Sequence, residues 1–217
     1  MQAAGAKGLA VKEEAFIRIL PALEPDALHK LSAAKATVIF TSAHAVQIVF
    51  SAINTQPPWQ VFCLSGATKA AVARFMDARA IQDTAMDGAT LAEKILARKD
   101  IKECLFFCGR KRMNSLPRML SEKNISLKEI TVYDTLLTPK EIKDRYDGIL
   151  FFSPTAVASF FAVNDLPSHT VLFSVGHTTT QALKKYSGNM IITGKYPAAG
   201  HLIELAASFD FDAGRPS

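Results

Sequence analysis

The sequence predicts an α/β protein of two similar parallel-sheet lobes, one of them discontinuous, joined by a two-stranded connector. Three observations carry this. Short apolar runs alternate with amphipathic segments along the whole chain. The chain also nearly repeats itself about 110 residues apart. Finally, two extended segments fall outside the alternation, at the places where the chain would cross between lobes.

The apolar runs are Thr37–Phe40, Gln60–Leu64, Cys104–Phe107, Ile149–Phe152, Thr170–Val175 and Met190–Thr193. They are rich in Val, Ile and Phe and almost unbroken, as strands buried on both faces must be. Helical patterns occupy His44–Ile53, Thr68–Asp77, Thr90–Arg98, Ser115–Lys123, Thr155–Val163, Thr179–Tyr186 and Gly200–Ser208. Lobes of this size suit sheets of about four or five strands.

The repeat has three parts in constant order. Phe40–Val46 (F-T-S-A-H-A-V) matches Phe151–Val157 (F-F-S-P-T-A-V). Val61–Thr68 matches Val171–Thr178, and Gly88–Leu91 matches Ala199–Leu202. Two similar lobes facing each other make a cleft, where small ligands bind. The misfit segments are Glu14–Leu20, ending at Pro21, and Lys128–Leu137, ending near Pro139. These are the expected connectors, over 14–21 and 128–137, paired as a small ladder. An inserted lobe then spans 21–130. The discontinuous lobe combines 1–20, including an N-terminal helix, with 138–217.

Composition narrows the function. The 217 residues are 49% hydrophobic and 21% charged, ordinary for a soluble globular protein. A net charge of +5 suits an acidic small molecule. The longest basic run is Arg110-Lys111-Arg112, and no aromatic ladder accompanies it, so nucleic acid is not expected. Cys63, Cys104 and Cys108 all lie in strand-like runs. They read as buried small hydrophobes in a reducing compartment, with neither a disulfide framework nor a metal site. No run is long enough to span a membrane, and Met1–Gly8 lacks the apolar core of a signal peptide. A cytoplasmic monomer is expected.

The residues after each strand carry the chemistry. Thr41, Ser42 and Ser153 stand where a strand gives way to a helix, a place where Ser and Thr cap free N–H groups. Ser65-Gly66-Ala67-Thr68 and Gly176-His177-Thr178-Thr179 hold the equivalent turn after the next strand. Strand ends of a parallel sheet share one edge, and helix N-termini there suit anions. Ordinary capping would leave the same pattern. Neither turn has the G-x-x-x-x-G-K-[ST] spacing of a phosphate loop, and there is no G-x-G-x-x-G fingerprint. No Ser-His-Asp order is apparent among the five histidines, and Asp83, Asp87 and Asp134 form no carboxylate pair. Tyr133, in one connector, could act as a general acid, or could simply pack as an aromatic.

These motifs resemble the uroporphyrinogen-III synthase family over almost the whole chain. The carriers are Val38–Val46, Leu64–Thr68, Cys108–Leu120 (C-G-R-K-R-M-N-S-L-P-R-M-L), Ile130–Thr135 (I-T-V-Y-D-T), Ile149–Val157 and Ser174–Thr179. The resemblance implies a flavodoxin-like, HemD-like pair of lobes on a two-stranded connector. The implied substrate is hydroxymethylbilane, a linear tetrapyrrole rich in carboxylates, handed on from hydroxymethylbilane synthase. The implied reaction needs no metal or cofactor. The terminal hydroxyl leaves as water, the resulting azafulvene attacks ring D, and a spiro intermediate reopens and closes with ring D inverted. Uncatalysed closure gives the uninverted isomer, so the protein's task is mainly positioning.

By the same resemblance, Tyr133 matches the tyrosine proposed to assist departure of the hydroxyl. Thr41, Ser42, Ser65, Gly66, Thr68, Ser153, Thr155, Gly176, Thr178 and Thr179 match cleft-lining positions. Arg112 is the favoured basic contributor because it opens the helical segment after a strand end, and a solvated surface role would suit the same residue. Two departures stand out. The second-lobe turn has His177 where the family pattern has Pro. The chain also opens inside the first helix, without the family's first strand and its I-T-R-P-like turn, so its activity is in question. The competing reading is a non-catalytic two-lobed binding module for an acidic small molecule. A receiver domain would need an acidic pocket at strand ends that instead carry Ser, Thr and Gly.

Overall fold

The computed structural model describes residues 9–23, 25–53, 55–196 and 198–211. The chain divides into two compact units, Ile19–Thr135 and the pair Met1–Arg18 with Leu136–Ser217.

The continuous unit is built on six strands: β1 (Ile17–Pro21), β2 (Ala36–Phe40), β3 (Trp59–Leu64), β4 (Ile81–Ala85), β5 (Glu103–Gly109) and β6 (Ser126–Leu137). Their order is β1-β6-β5-β2-β3-β4. From β6 to β4 every neighbouring pair is parallel. β1 runs the other way along β6. Phe16 O accepts from Thr138 N–H at one end, and Val132 O accepts from Ala22 N–H at the other, so partner numbers fall as β1 advances.

Five helices cover this sheet: α1 (Pro25–Ser32), α2 (Ala43–Ser51), α3 (Ala67–Val72), α4 (Gly88–Leu96) and α5 (Ser115–Glu122). Alternation along each strand explains the unbroken apolar runs. Val38, Phe40, Val61, Cys63 and Phe107 point to one face, against Ala45, Val46, Val49 and Phe50 of α2. Ile39, Phe62, Cys104, Phe106 and Cys108 point to the other, against Leu91 and Ile95 of α4 and Leu116 and Leu120 of α5.

The β5–β6 ladder contains one irregularity. Pairing steps evenly from Glu103↔Ser126 to Cys108↔Thr131, then jumps to Gly109↔Tyr133. One extra residue, Val132, is accommodated in β6, a bulge of the kind that re-aims the side chains beyond it. Ile130 and Val132 face the α2 side, and after the bulge Tyr133 packs on that side as well.

Among its described residues the smaller unit has three parallel strands in sequence order: β7 (Gly148–Phe151), β8 (Val171–Ser174) and β9 (Ile191–Thr193). Its helices are α6 (Pro154–Phe160), α7 (His177–Leu183) and α8 (Ala199–Ser208). Phe151, Val157, Phe160, Leu172 and Leu183 form one core cluster, and Phe16 meets Phe160 edge-on at 5.2 Å. Val171, Phe173, Leu202 and Ala206 form the other.

Several expectations need correction. Among the described residues the sheets have six and three strands rather than four or five each. β4 carries the polar sequence I-Q-D-T-A, which an edge strand tolerates and which breaks the apolar signature. α1 opens on Pro25, whose fixed φ suits the first helical position, but its eight residues give too short a pattern to stand out. The stretch from Leu9 to Phe16 contains no helix, and the rest of the expected N-terminal helix lies outside the described residues.

Candidate active site

In the larger unit, β2, β3, β5 and β6 bring four chain segments to one carboxyl edge. After β2 come Thr41 and Ser42, both half-buried. Ser42 is the N-cap of α2, and its Oγ accepts from His44 N–H at 3.2 Å. The Tyr133 phenol donates to the same oxygen at 3.1 Å. A phenol on a strand and a cap on a helix are thus joined 91 residues apart in sequence.

Tyr133 can lie there because its neighbour on β5 is Gly109. A Cβ at Gly109 would stand 2.6 Å from the ring's Cζ and 2.9 Å from the phenol oxygen. Glycine in a strand marks such a close approach. The His44 ring meets the Tyr133 ring edge-on, with centroids 6.1 Å apart. His44 is exposed at its rim, yet burial of its inner side pushes the imidazole pKa down, which favours the neutral ring.

Beside this group, Gly66 has φ 71°, the left-handed region that favours glycine, and turns the chain from β3 into α3. Ser65 N–H is held by Ala85 O at 2.7 Å. Thr68 is buried, so it packs the start of α3. Arg112 does not open a helix: α5 begins at Ser115, and Arg112 lies in the preceding loop, paired with Glu129 of β6. Arg110 pairs with Asp134 at 3.0 Å and remains largely exposed.

The smaller unit repeats the layout. Ser153 caps α6, accepting from Ala156 N–H at 3.1 Å, with Pro154 at the first position and Thr155 half-buried beside it. Thr178 is exposed and Thr179 is buried. Gly176 differs from its counterpart. Its φ of 173° is extended backbone and a Cβ there would meet nothing within 4 Å, so the tight-turn role expected of it is not what the structure shows.

Three groups escaped the sequence reading. Gly109 could have been noticed as a glycine at a strand end. Glu129, the partner of Arg112, gives no local signal. The third is a chain of hydroxyls running from the buried Ser174 and Thr180 out to the exposed Thr193: Ser174 Oγ and Thr180 Oγ1 lie 2.5 Å apart, and Thr180 and Thr193 Oγ1 lie 2.7 Å apart. It ties the ends of β8 and β9 to α7, and only the tertiary fold brings its members together.

The three thiols are inert. Burial pushes Cys63 and Cys108 up to about 11 and Cys104 up to about 12, so none is a thiolate near neutral pH. Among the described residues no cluster of three His, Cys, Asp or Glu could hold a metal, and no helix is long and apolar enough to cross a membrane. A cavity of about 330 Å³ opens at the opposite, amino edge of the larger sheet, beside Lys35 and Lys128. Another of about 210 Å³ lies in the smaller unit beside Asn164 and Thr170. Neither is lined by any residue expected in the site.

The fold has solved relatives. Uroporphyrinogen-III synthetase from Helicobacter pylori superposes with a TM-score of 0.63 at 19% identity, over 89% of this chain and 90% of that one. A mutant uroporphyrinogen III synthase from Thermus thermophilus gives 0.59 at 13% identity, over 94% and 90%. No curated protein sequence matches significantly. The sequence profile described as uroporphyrinogen-III synthase HemD matches residues 1–204, nearly the whole chain. The chain therefore belongs to the uroporphyrinogen-III synthase family, an enzyme family of haem biosynthesis.

Proposed function

We propose that this chain cyclises hydroxymethylbilane to uroporphyrinogen III, with loss of water and inversion of ring D through a spiro intermediate. The observation that supports this most directly is the Tyr133 phenol fixed on Ser42 at the carboxyl edge of the larger sheet. A neutral phenol held in one orientation is a competent general acid for a departing hydroxyl. Its contribution is modest, as a reaction governed by positioning requires.

The other edge residues supply polar contacts for carboxylates, each on its own unit. They are Thr41, Ser65, Gly66 and Thr68 in the larger unit, and Ser153, Thr155, Gly176, Thr178 and Thr179 in the smaller. Arg112 contributes charge only if its pair with Glu129 opens, so it ranks below the backbone and hydroxyl groups. The non-catalytic binding module has no particular observation in its favour. A cytoplasmic monomer that receives the bilane from hydroxymethylbilane synthase completes the reading, because the free bilane closes to the wrong isomer unaided.

The test is to generate hydroxymethylbilane in situ, add the protein, oxidise the products and separate the uroporphyrin isomers. Type III should predominate. Tyr133→Phe should lower kcat by about 10²-fold, at the low end for a general acid, and shift the product toward type I as uncatalysed closure competes. Type I alone from the unaltered chain would overturn the synthase reading.

A further inference from the structure

We propose that Ser42 is the group that hands the proton to the departing hydroxyl, with Tyr133 resupplying it from behind; this rests on the synthase reading above. A hydroxyl has two acceptor lone pairs and one hydrogen to donate. Both acceptor positions of Ser42 Oγ are taken, one by His44 N–H and the other by the phenol of Tyr133. Only Ser42's own hydrogen is left to point outward. The phenol's hydrogen is committed to Ser42 and cannot address a substrate at the same time.

The surroundings hold Tyr133 in the rear position. The Gly109 backbone stands directly against its ring, the His44 ring closes another side, and the bulge at Val132 fixes the face from which the ring projects. Ser42 is half-buried, just beyond the end of β2. An isolated serine is far too weak an acid to protonate a leaving group. A serine backed by a phenol delivers the phenol's proton to a point the phenol does not reach.

The step balances. The C–O bond of the terminal hydroxymethyl breaks and its electron pair goes to oxygen. Ser42's hydrogen moves to that oxygen, making water, while Tyr133's proton moves to Ser42 Oγ. This leaves a phenolate and a cationic pyrrole. The pyrrole carbon that closes the ring later loses one proton, which restores the phenol, so the cycle consumes no proton.

The experiment compares isomer yield, kcat and KM in the full chain with Ser42→Ala, Ser42→Asn, Tyr133→Phe and the Ser42→Asn/Tyr133→Phe double variant. Asn caps helices as well as Ser does, so Ser42→Asn keeps α2 capped while removing the relayed hydrogen. Each single variant should lose about 10²-fold in kcat with little change in KM. The double variant should fall no more than about 3-fold further, because the pair acts as one unit. Ser42→Thr, which keeps a hydroxyl, should recover most of the loss seen in Ser42→Ala. A readout independent of turnover is the ¹³Cζ resonance of the four tyrosines. The signal that Tyr133→Phe deletes should shift in Ser42→Asn. Full kcat in Ser42→Asn beside a crippled Tyr133→Phe would overturn the relay and leave Tyr133 acting directly. So would losses that multiply in the double variant, or a harmless Tyr133→Phe. Type I product alone from the unaltered chain would instead remove the synthase reading and the relay with it.

Discussion

With no Cβ on Gly109, the Tyr133 ring occupies the place where one would stand, and the phenol reaches Ser42. Burial also acts on single residues here. The thiols are kept protonated, and His44 is kept short of a full charge. His44 makes a prediction with a definite sign. Its native pKa lies below the unfolded value near 6.5, so the unfolded chain binds the proton more readily. The favourable contribution is present above that value and is lost as pH falls toward the native pKa. Urea midpoints measured from pH 7 to pH 5 should fall less in His44→Gln than in the unaltered protein.

At the scale of elements, the linked hydroxyls of Ser174, Thr180 and Thr193, the first two buried, fasten α7 to the ends of β8 and β9. Thr180→Val removes the central member and leaves the buried Ser174 hydroxyl short of a partner. It should destabilise the protein by about 1–3 kcal/mol, read from urea unfolding. The caps were legible in the sequence. Ser42 and Ser153 each follow an apolar run and precede a helical pattern, and each accepts the N–H bond that this placement implies. The strands buried on both faces were legible for the same local reason. β4 was not, because an edge strand need not be apolar on both faces. The Tyr133–Ser42 contact and the pair of Arg112 with Glu129 were not legible as contacts either, since they depend on which strands become neighbours.

At the scale of the whole chain, the internal repeat and the strand–helix alternation were enough to show an α/β protein of two related lobes. They did not show how unequal the sheets would be. The larger unit packs apolar side chains on both faces of a central run of strands, while the smaller unit, among its described residues, rests on three short strands and two modest clusters. Opening free energy follows such local packing. Hydrogen exchange followed by mass spectrometry should therefore show amides of β7–β9 exchanging before those of β2, β3 and β5. Uniform exchange would mean that the two units open as one.

The bulge in β6 reaches further, into how chains of this kind can drift. Strand alternation works like a two-beat count, and Val132 inserts one additional beat just before Tyr133. Straightening the strand with Val132 still in place would pair Val132 with Gly109 and move Tyr133 and every later side chain of β6 to the opposite face without altering any of their identities. A divergent relative could thus retain a tyrosine in the matching column and still have lost its reach to the serine, so aligned letters in this strand have meaning only together with the count that precedes them.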